Sequence, residues 1–370
     1  MTVELLTDKI LFPDVSAEDF SAAQARLLKR QAEEKSRKQA SSQNDSNLSD
    51  IILFPLSSST LPSARSMDDQ KEVMDYKANI VSAKNKRMAE EIVSMMEYDA
   101  AEIGMVSYMS QMLVQMMLPH SEHKDAGGHP INEYKRENGR ATLTIMTPSI
   151  YGGVPYGVVP RQLLMWLTTE AVRLKSREIF LGDSLTSFLK EMGVKVTGGK
   201  EGSLLRIRKQ SNRLFNSFIN YDPGLDTNSR RHNLIITDSN ESFSFWSENN
   251  CKAWESHIVL SDQFFQEIIQ NPVPIDRRAI RALSGSAFAL DLYCWLTWRL
   301  YSVKKYTSIP WEYLQSQFGS SYKHLRQFRD RFKHVLDLVL EVYPANVRVE
   351  QSCLVLLPSV TSIPRKSVQL

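Results

Sequence analysis

Two stretches of this 370-residue chain gather arginine, glutamine and lysine at the spacing of a single helix face. Arg206, Lys209, Gln210 and Arg213 form the first set, and Lys323, Arg326, Gln327, Arg331 and His334 form the second. An arginine fork pairs with two acceptors on guanine, a glutamine amide pairs with adenine, and lysine holds phosphate as a point charge. Side chains of these types on one face suit the major groove of duplex DNA. Lys200 precedes the first set, and Arg230-Arg231 follows it at the end of the connector from Asp222. These three extend the cationic surface toward the phosphate backbone or the minor groove.

The helices that must carry these sets share one apolar pattern. Leu204, Ile207, Ser211, Leu214, Phe215 and Phe218 recur at the same intervals as Leu325, Phe328, Phe332, Val335, Leu336 and Val339. Both series run down one side of a helix, with Ser211 the one polar intruder. The basic and amide residues are therefore expected to point outward, away from a core.

What precedes and follows these helices is also repeated. A helix from Val159 to Lys175 contains Trp166-Leu167-Thr168, and a helix from Ala287 to Val303 contains Trp295-Leu296-Thr297. A shorter helix then ends in glycine in each case: Leu185 to Met192 before Gly193, and Trp311 to Phe318 before Gly319. Glycine there is expected to take the left-handed conformation that stops a helix. Strands follow at Ser217–Tyr221, Asn233–Thr237 and Ser242–Trp246 in the first copy, and at Val347–Gln351 and Leu354–Leu357 in the second. Helix, helix, recognition helix and hairpin is the winged-helix order, a variant of helix-turn-helix.

The fold class read from this pattern is α+β, with two tandem winged-helix domains over residues 156–272 and 273–360. A helical and β-hairpin extension occupies 67–155, and a C-terminal tail 361–370. Within the extension, Met88, Ile92, Met95 and Met96 make a helical stripe. Gln111–Leu118 reads as a strand, and Tyr134–Glu137 and Arg140–Met146 as a hairpin across Asn138-Gly139.

Residues 1–66 read as a tail, with a charged helix followed by a Ser-rich linker expected to be disordered. Asp8-Lys9-Ile10-Leu11-Phe12-Pro13 is echoed by Asp50-Ile51-Ile52-Leu53-Phe54-Pro55. The repeated phrase is either a docking peptide for a host protein, such as a sliding clamp or a helicase or initiator component, or a staple on the protein's own surface.

Charge is partitioned along the chain. Val159–Ile219 holds eleven Lys and Arg against five Asp and Glu, and Asp276–Ala345 holds eleven against six, within a net charge of only +3. Two basic blocks in an otherwise acidic chain point to a polyanionic partner. Three cysteines, Cys251, Cys294 and Cys353, fit neither a disulfide framework nor a zinc motif and suit a reducing cytoplasm. With no secretory leader and no apolar run long enough for a bilayer, no membrane association is expected.

Enzyme readings find little support. His120, His123, Asp125 and His129 lie close in sequence, as metal ligands sometimes do, but no second cluster accompanies them. Gly198-Gly199-Lys200-Glu201-Gly202 lacks the Gly-Lys-Ser/Thr ending of a P-loop. No catalytic residue, metal or cofactor is therefore expected.

Several separate phrases, in order along the chain, are shared with one family. They are Leu118-Pro119-His120; Pro155-Tyr156-Gly157 through Pro160-Arg161; Thr169-Glu170-Ala171-Val172-Arg173; Thr197-Gly198-Gly199 through Gly202-Ser203; and Arg206 to Phe215. Ile275-Asp276, Arg278-Ala279, Arg281-Ala282-Leu283 and Ala289-Leu290-Asp291-Leu292-Tyr293 follow. Over roughly Gln111 to Ser359 the chain resembles the RepA-type plasmid replication initiators. The resemblance implies binding to repeated origin sequences (iterons), help in opening the duplex and recruitment of host replication proteins. It also implies a dimer that represses its own gene and a monomer that starts replication. A winged-helix transcriptional repressor without initiator activity is the alternative.

Overall fold

The computed structural model describes residues 86–115, 117–139, 141–180, 203–222, 224, 232–238, 257–319 and 322–363. The N-terminal tail with its repeated phrase, Leu185–Met192 with Gly193, the glycine-rich stretch containing Lys200, Arg230, Arg231 and Ser242–Trp246 all lie outside the described residues.

A helix over residues 86–97 (α1) leads to strand β1 (Val106–Ser110) and the short helix α2 (Gln111–Gln115). Gln111–Leu118 is thus not a strand. Met112, Leu113 and Val114 are all buried, so the segment has no two-residue alternation for a sheet to use. Glu267 holds the turn, accepting from the Met112 N–H at 3.3 Å and from the Ser110 hydroxyl at 3.5 Å. In α1, Met88 is buried and Ile92 and Met95 pack on the core, whereas Met96 is 82% exposed and leaves the expected stripe.

Strands β2 (Glu133–Asn138) and β3 (Ala141–Met146) form the hairpin, whose ladder runs out to the Asn138–Ala141 pair. Helix α3 (Val158–Leu174), strand β4 (Glu178–Phe180) and helix α4 (Ser203–Phe215) come next, then β5 (Phe218–Asp222), β6 (His232–Ile235) and β7 (His257–Val259). The hairpin does not stand apart, because β3 pairs antiparallel with β5 from Thr142–Asp222 to Met146–Phe218. The four strands β2-β3-β5-β6 make one sheet.

Helix α5 (Asp262–Gln270), strand β8 (Pro272–Asp276) and helix α6 (Arg277–Ala282) bridge to the second repeat. β8 returns to pair antiparallel with β1, so strands from either side of residues 156–272 close over that segment. The second repeat is α7 (Ala287–Tyr301), β9 (Thr307–Pro310), α8 (Trp311–Phe318), α9 (Leu325–Val342), β10 (Val347–Val349) and β11 (Cys353–Leu356). Its three strands form an antiparallel sheet in the order β10-β11-β9. The fold is a mixture of helix and antiparallel sheet, and the described residues share a continuous core from Met88 to Leu356.

The two repeat helices are locked by a buried ion pair. α7 is apolar almost all round, apart from Asp291, and α3 carries Arg161 in a similarly apolar setting. Arg161 donates from Nε and Nη2 to the two Asp291 oxygens at 2.7 and 2.6 Å. Its remaining N–H groups go to the carbonyls of Leu118, Pro119 and Gly157, so all five donors are used. A buried charge must be paired and hydrogen-bonded to be tolerated, and removing one partner of such a pair costs about 3–5 kcal/mol. His120 Nε2 meets Asp291 at 2.9 Å from the other side, and its ring stacks on Phe288 at 5.0 Å. Through His120 the pair therefore reaches the aromatic core of the second repeat.

Burial holds the His120 imidazole below its ordinary value despite the attraction of Asp291. For Asp291 burial works in the raising direction, but Arg161 and the bond to His120 outweigh it and hold the carboxyl low. Both folded values are depressed, so both contributions to stability are complete above the unfolded values and lost as pH falls. The His120 part fades below about pH 6.5 and the Asp291 part below about pH 3.9. Thermal unfolding between pH 7.5 and 5 should show stability falling on acidification. His120→Gln, which keeps an N–H for Asp291, should flatten that fall.

Candidate nucleic-acid interface

Helix α9 turns Phe328, Phe332, Val335, Leu336 and Val339 inward, all 2% exposed or less. Phe328 and Phe332 pack with Phe288, Phe318, Trp311 and Tyr322, with ring centroids 5.5 to 6.4 Å apart. Each buried phenylalanine contributes roughly 1.5–3 kcal/mol, which fixes the rotation of the helix about its axis. The opposite face is then obliged to look outward. Arg326, Gln327, Arg331 and His334 are all exposed there, and Lys323, expected on the same helix, is exposed in the turn before the His324 cap.

The turn before α9 is tight for a reason other than the one expected. Gly319 has φ of −121°, which is not left-handed. A Cβ at Gly319 would instead lie 2.3 Å from Phe328 Cδ2, so glycine is needed because the aromatic ring occupies the space of a side chain. The C-terminal end of α8 is held by Arg136 of β2, which donates to the Gln317 carbonyl at 2.7 Å. That bond satisfies one of the helix's unpaired terminal carbonyls with a cation. The aromatic face, the glycine turn and the Arg136 anchor all position α9.

Helix α4 is a weaker copy. Ile207, Ser211, Leu214 and Phe215 are buried, but Phe218 lies past the helix end in β5 and is half exposed. Arg206 and Lys209 face solvent. Gln210 and Arg213, expected on the same outward face, are turned inward at 3% and 0% exposure. Gln210 Oε1 accepts from the Tyr156 N–H at 2.9 Å. Arg213 donates to the carbonyls of Tyr151, Gly152 and Val154, pairs with Glu122 at 3.0 Å and lies over the Tyr156 ring.

The cause is a second packing surface. α4 is flanked by α3 and also by the irregular segment around Tyr151–Tyr156, so its buried arc is wider than the apolar stripe alone indicates. Gly153, at φ 114°, lets that segment pass close to Pro130, where a Cβ would meet the proline ring at 2.8 Å. Gln210 and Arg213 hold the fold together and are not available to a ligand.

Sequence reasoning missed cations beside the second set. Lys304 and Lys305 are exposed in the turn before β9, Arg348 is exposed on β10, and exposed Tyr306 stands beside the two lysines. The two lysines and Tyr306 lie in the turn between α7 and β9, a placement that carries no periodic signal in the sequence. Among the histidines considered as metal ligands, His120 is taken by Asp291, and His129 lies 3.7 Å from Asp125. Cys294 and Cys353 are buried thiols outside any disulfide. Among the described residues no helix is long and apolar enough to cross a membrane.

Residues 154–312 match the family model RepA_C, described as plasmid encoded RepA protein. Over that span the chain matches the RepA family. The RepA match runs from just before α3 to the first turn of α8, so it contains Arg161, α4 and Asp291 and stops short of α9. It is narrower than the stretch from Gln111 to Ser359 over which phrases resemble the family. No curated protein matches the sequence. Two solved structures are similar, both of domains 2 and 3 of RctB, each at 13% identity over 66% of this chain. They are covered over 94% and 96% of their own length, with TM-scores of 0.39 and 0.38.

The two helices should respond differently to loss of an arginine. Arg213→Ala strips charged donors from several buried carbonyls and should cost about 1.5–3 kcal/mol in chemical denaturation. Arg326→Ala, on an exposed face, should stay within about 0.5 kcal/mol of the parent.

Proposed function

We propose that the protein is a plasmid replication initiator that binds double-stranded DNA through two winged-helix units, with α9 as the principal reading helix. The observation that carries this reading is the exposed set Arg326, Gln327, Arg331 and His334 on a helix whose rotation is fixed by its buried aromatic face, with exposed Lys323 in the turn just before it. The RepA match upstream of α9 supports a role in plasmid replication. The order α7, β9, α8, α9, β10, β11 supports a winged-helix unit, with the β10–β11 hairpin as its wing.

In this mechanism binding energy does the work. α9 enters a major groove, where Arg326, Gln327 and Arg331 read base edges and Lys323 and His334 contact the backbone. Arg206 and Lys209 supply a lighter contact from α4, and Lys200, Arg230 and Arg231 are further candidates for phosphate contacts. Several protomers on an array of repeats would bend the DNA, and the deformation would favour melting of an adjacent A·T-rich segment. Recruitment of a host helicase or sliding clamp through the N-terminal phrases, repression of its own gene by a dimer and a cytoplasmic location complete the proposal. No cofactor and no catalytic step are needed for it.

Fluorescence anisotropy on duplexes from the region flanking the gene tests the proposal. Arg326→Ala or Arg331→Ala should lose about 1–3 kcal/mol of affinity and relax discrimination at one base position. A uniform loss across sequences would make these residues backbone contacts, and no loss would remove α9 from the interface. Footprinting separates initiator from repressor, since direct repeats beside A·T-rich DNA fit the first and an isolated palindrome fits the second.

A further inference from the structure

Spacing alone passes over Arg329, which stands at the edge of the outward face of α9. It is half-buried, one residue past the inward Phe328, and its guanidinium carbon lies 5.4 Å from the centre of the Trp311 ring. Trp311 is itself sealed in place. Its buried ring meets Phe332 edge-on at 5.5 Å, its Nε1 donates to the Glu350 carbonyl at 3.1 Å, and its backbone N–H donates to the Ser352 carbonyl at 3.3 Å. Trp311 therefore ties the aromatic core to the turn between β10 and β11, and Arg329 rests on that junction.

Stacking on a ring is shared with other arginines of this chain, but a lack of acceptors is not. Arg136 lies over Tyr134 at 5.6 Å, and it also donates to the Tyr134 hydroxyl and the Gln317 carbonyl. Arg213 lies over Tyr156 at 5.4 Å, and it also donates to carbonyls and to Glu122. Arg329 Nε is buried and makes no hydrogen bond, and no carboxylate among the described residues pairs with the group. A donor withdrawn from water without an acceptor costs free energy, more so when it is charged.

The stack holds the guanidinium without using it. A ring meets the flat face of the group, whereas its N–H donors lie in the plane and stay open to an anion. Arg326, Arg329 and Lys333 follow one another three and four residues apart, so they form a cationic row along one side of α9. Like charges at that spacing repel, and an anion beside the row relieves the repulsion.

A helix in a major groove turns its outermost side chains to base edges, and the strands that border the groove are left to its flanks. Resting on the reading of α9 as the DNA-facing helix, we propose that Arg329 is a backbone clamp, its fork gripping one DNA phosphate at the groove border while Trp311 holds the fork in position. The planar fork can engage two oxygens of that phosphate at once. Such a contact sets the register of α9 on the duplex and carries no sequence preference of its own.

Duplex affinity against salt concentration is measured for the full chain, Arg329→Met, Arg329→Lys and, for comparison, Arg326→Ala. Methionine keeps an unbranched stem over Trp311 and removes the charge, whereas lysine keeps the charge and removes the flat fork. Arg329→Met should bind every duplex roughly tenfold more weakly, with the log–log salt slope reduced in magnitude by about 0.9. Arg329→Lys should keep the slope and recover part of the affinity. Unchanged affinity and slope in Arg329→Met, or a lower Tm as its only change, would make Arg329 a packing residue and overturn the proposal. A loss confined to one base position would also overturn it, by making Arg329 a base reader. Should Arg329→Met not fold, Arg329→Gln takes its place in the same comparison. Weaker binding by Arg326→Ala beside full binding by Arg329→Met sinks the clamp alone, whereas a parent chain that binds no duplex sinks the reading of α9 and the clamp together.

Discussion

The buried pair of Arg161 and Asp291 is the constraint around which the two repeats are arranged. Each charge sits on the first helix of its own repeat, and a buried charge of either kind is tolerated there because the other pairs with it. Their geometry therefore ties α3 to α7 and draws in the carbonyls of Leu118, Pro119 and Gly157. His120 continues the contact to Phe288, and Phe288 touches Phe318, Phe328 and Phe332. A chain of contacts thus runs from the first repeat to the buried side of α9. The RepA match contains both members of the pair, although the helix they help to place lies beyond it.

This arrangement makes the two halves unequal. In the second repeat the aromatic core takes only the apolar face of α9 and leaves its basic face to solvent. In the first, α4 spends Gln210 and Arg213 on holding the segment from Tyr151 to Tyr156. An internal repeat in sequence is thus unequal in structure, with α9 presenting its basic face to solvent and α4 more deeply built into the frame.

Much of this was legible from the residues alone. The helices carrying the repeated Trp-Leu-Thr, the α8 segment, the α9 stripe and the hairpin strands follow from spacing, because local periodicity decides them. The inward turn of Gln210 and Arg213 does not follow, since an irregular segment with no periodic signal supplies the second surface that covers them. Spacing alone makes Gly319 a helix stop, but its role depends on a ring nine residues onward. Gln111–Leu118 read as a strand because a short apolar run looks alike in strand and helix, and Glu267, distant in sequence, decides the outcome. A single aspartate in the apolar run from Ala287 to Leu300 and a single arginine beside Pro160 imply a buried pair.

The claim that α9 faces duplex DNA is tested most directly by placing a cleavage reagent on it. With an iron chelate tethered to Gln327→Cys in the full chain, and the unsubstituted protein as background, the account predicts focused strand scission within the bound site on origin-flanking duplex. The breaks should be offset between strands as for a probe in the major groove. Tight binding accompanied by no cleavage above background would contradict it.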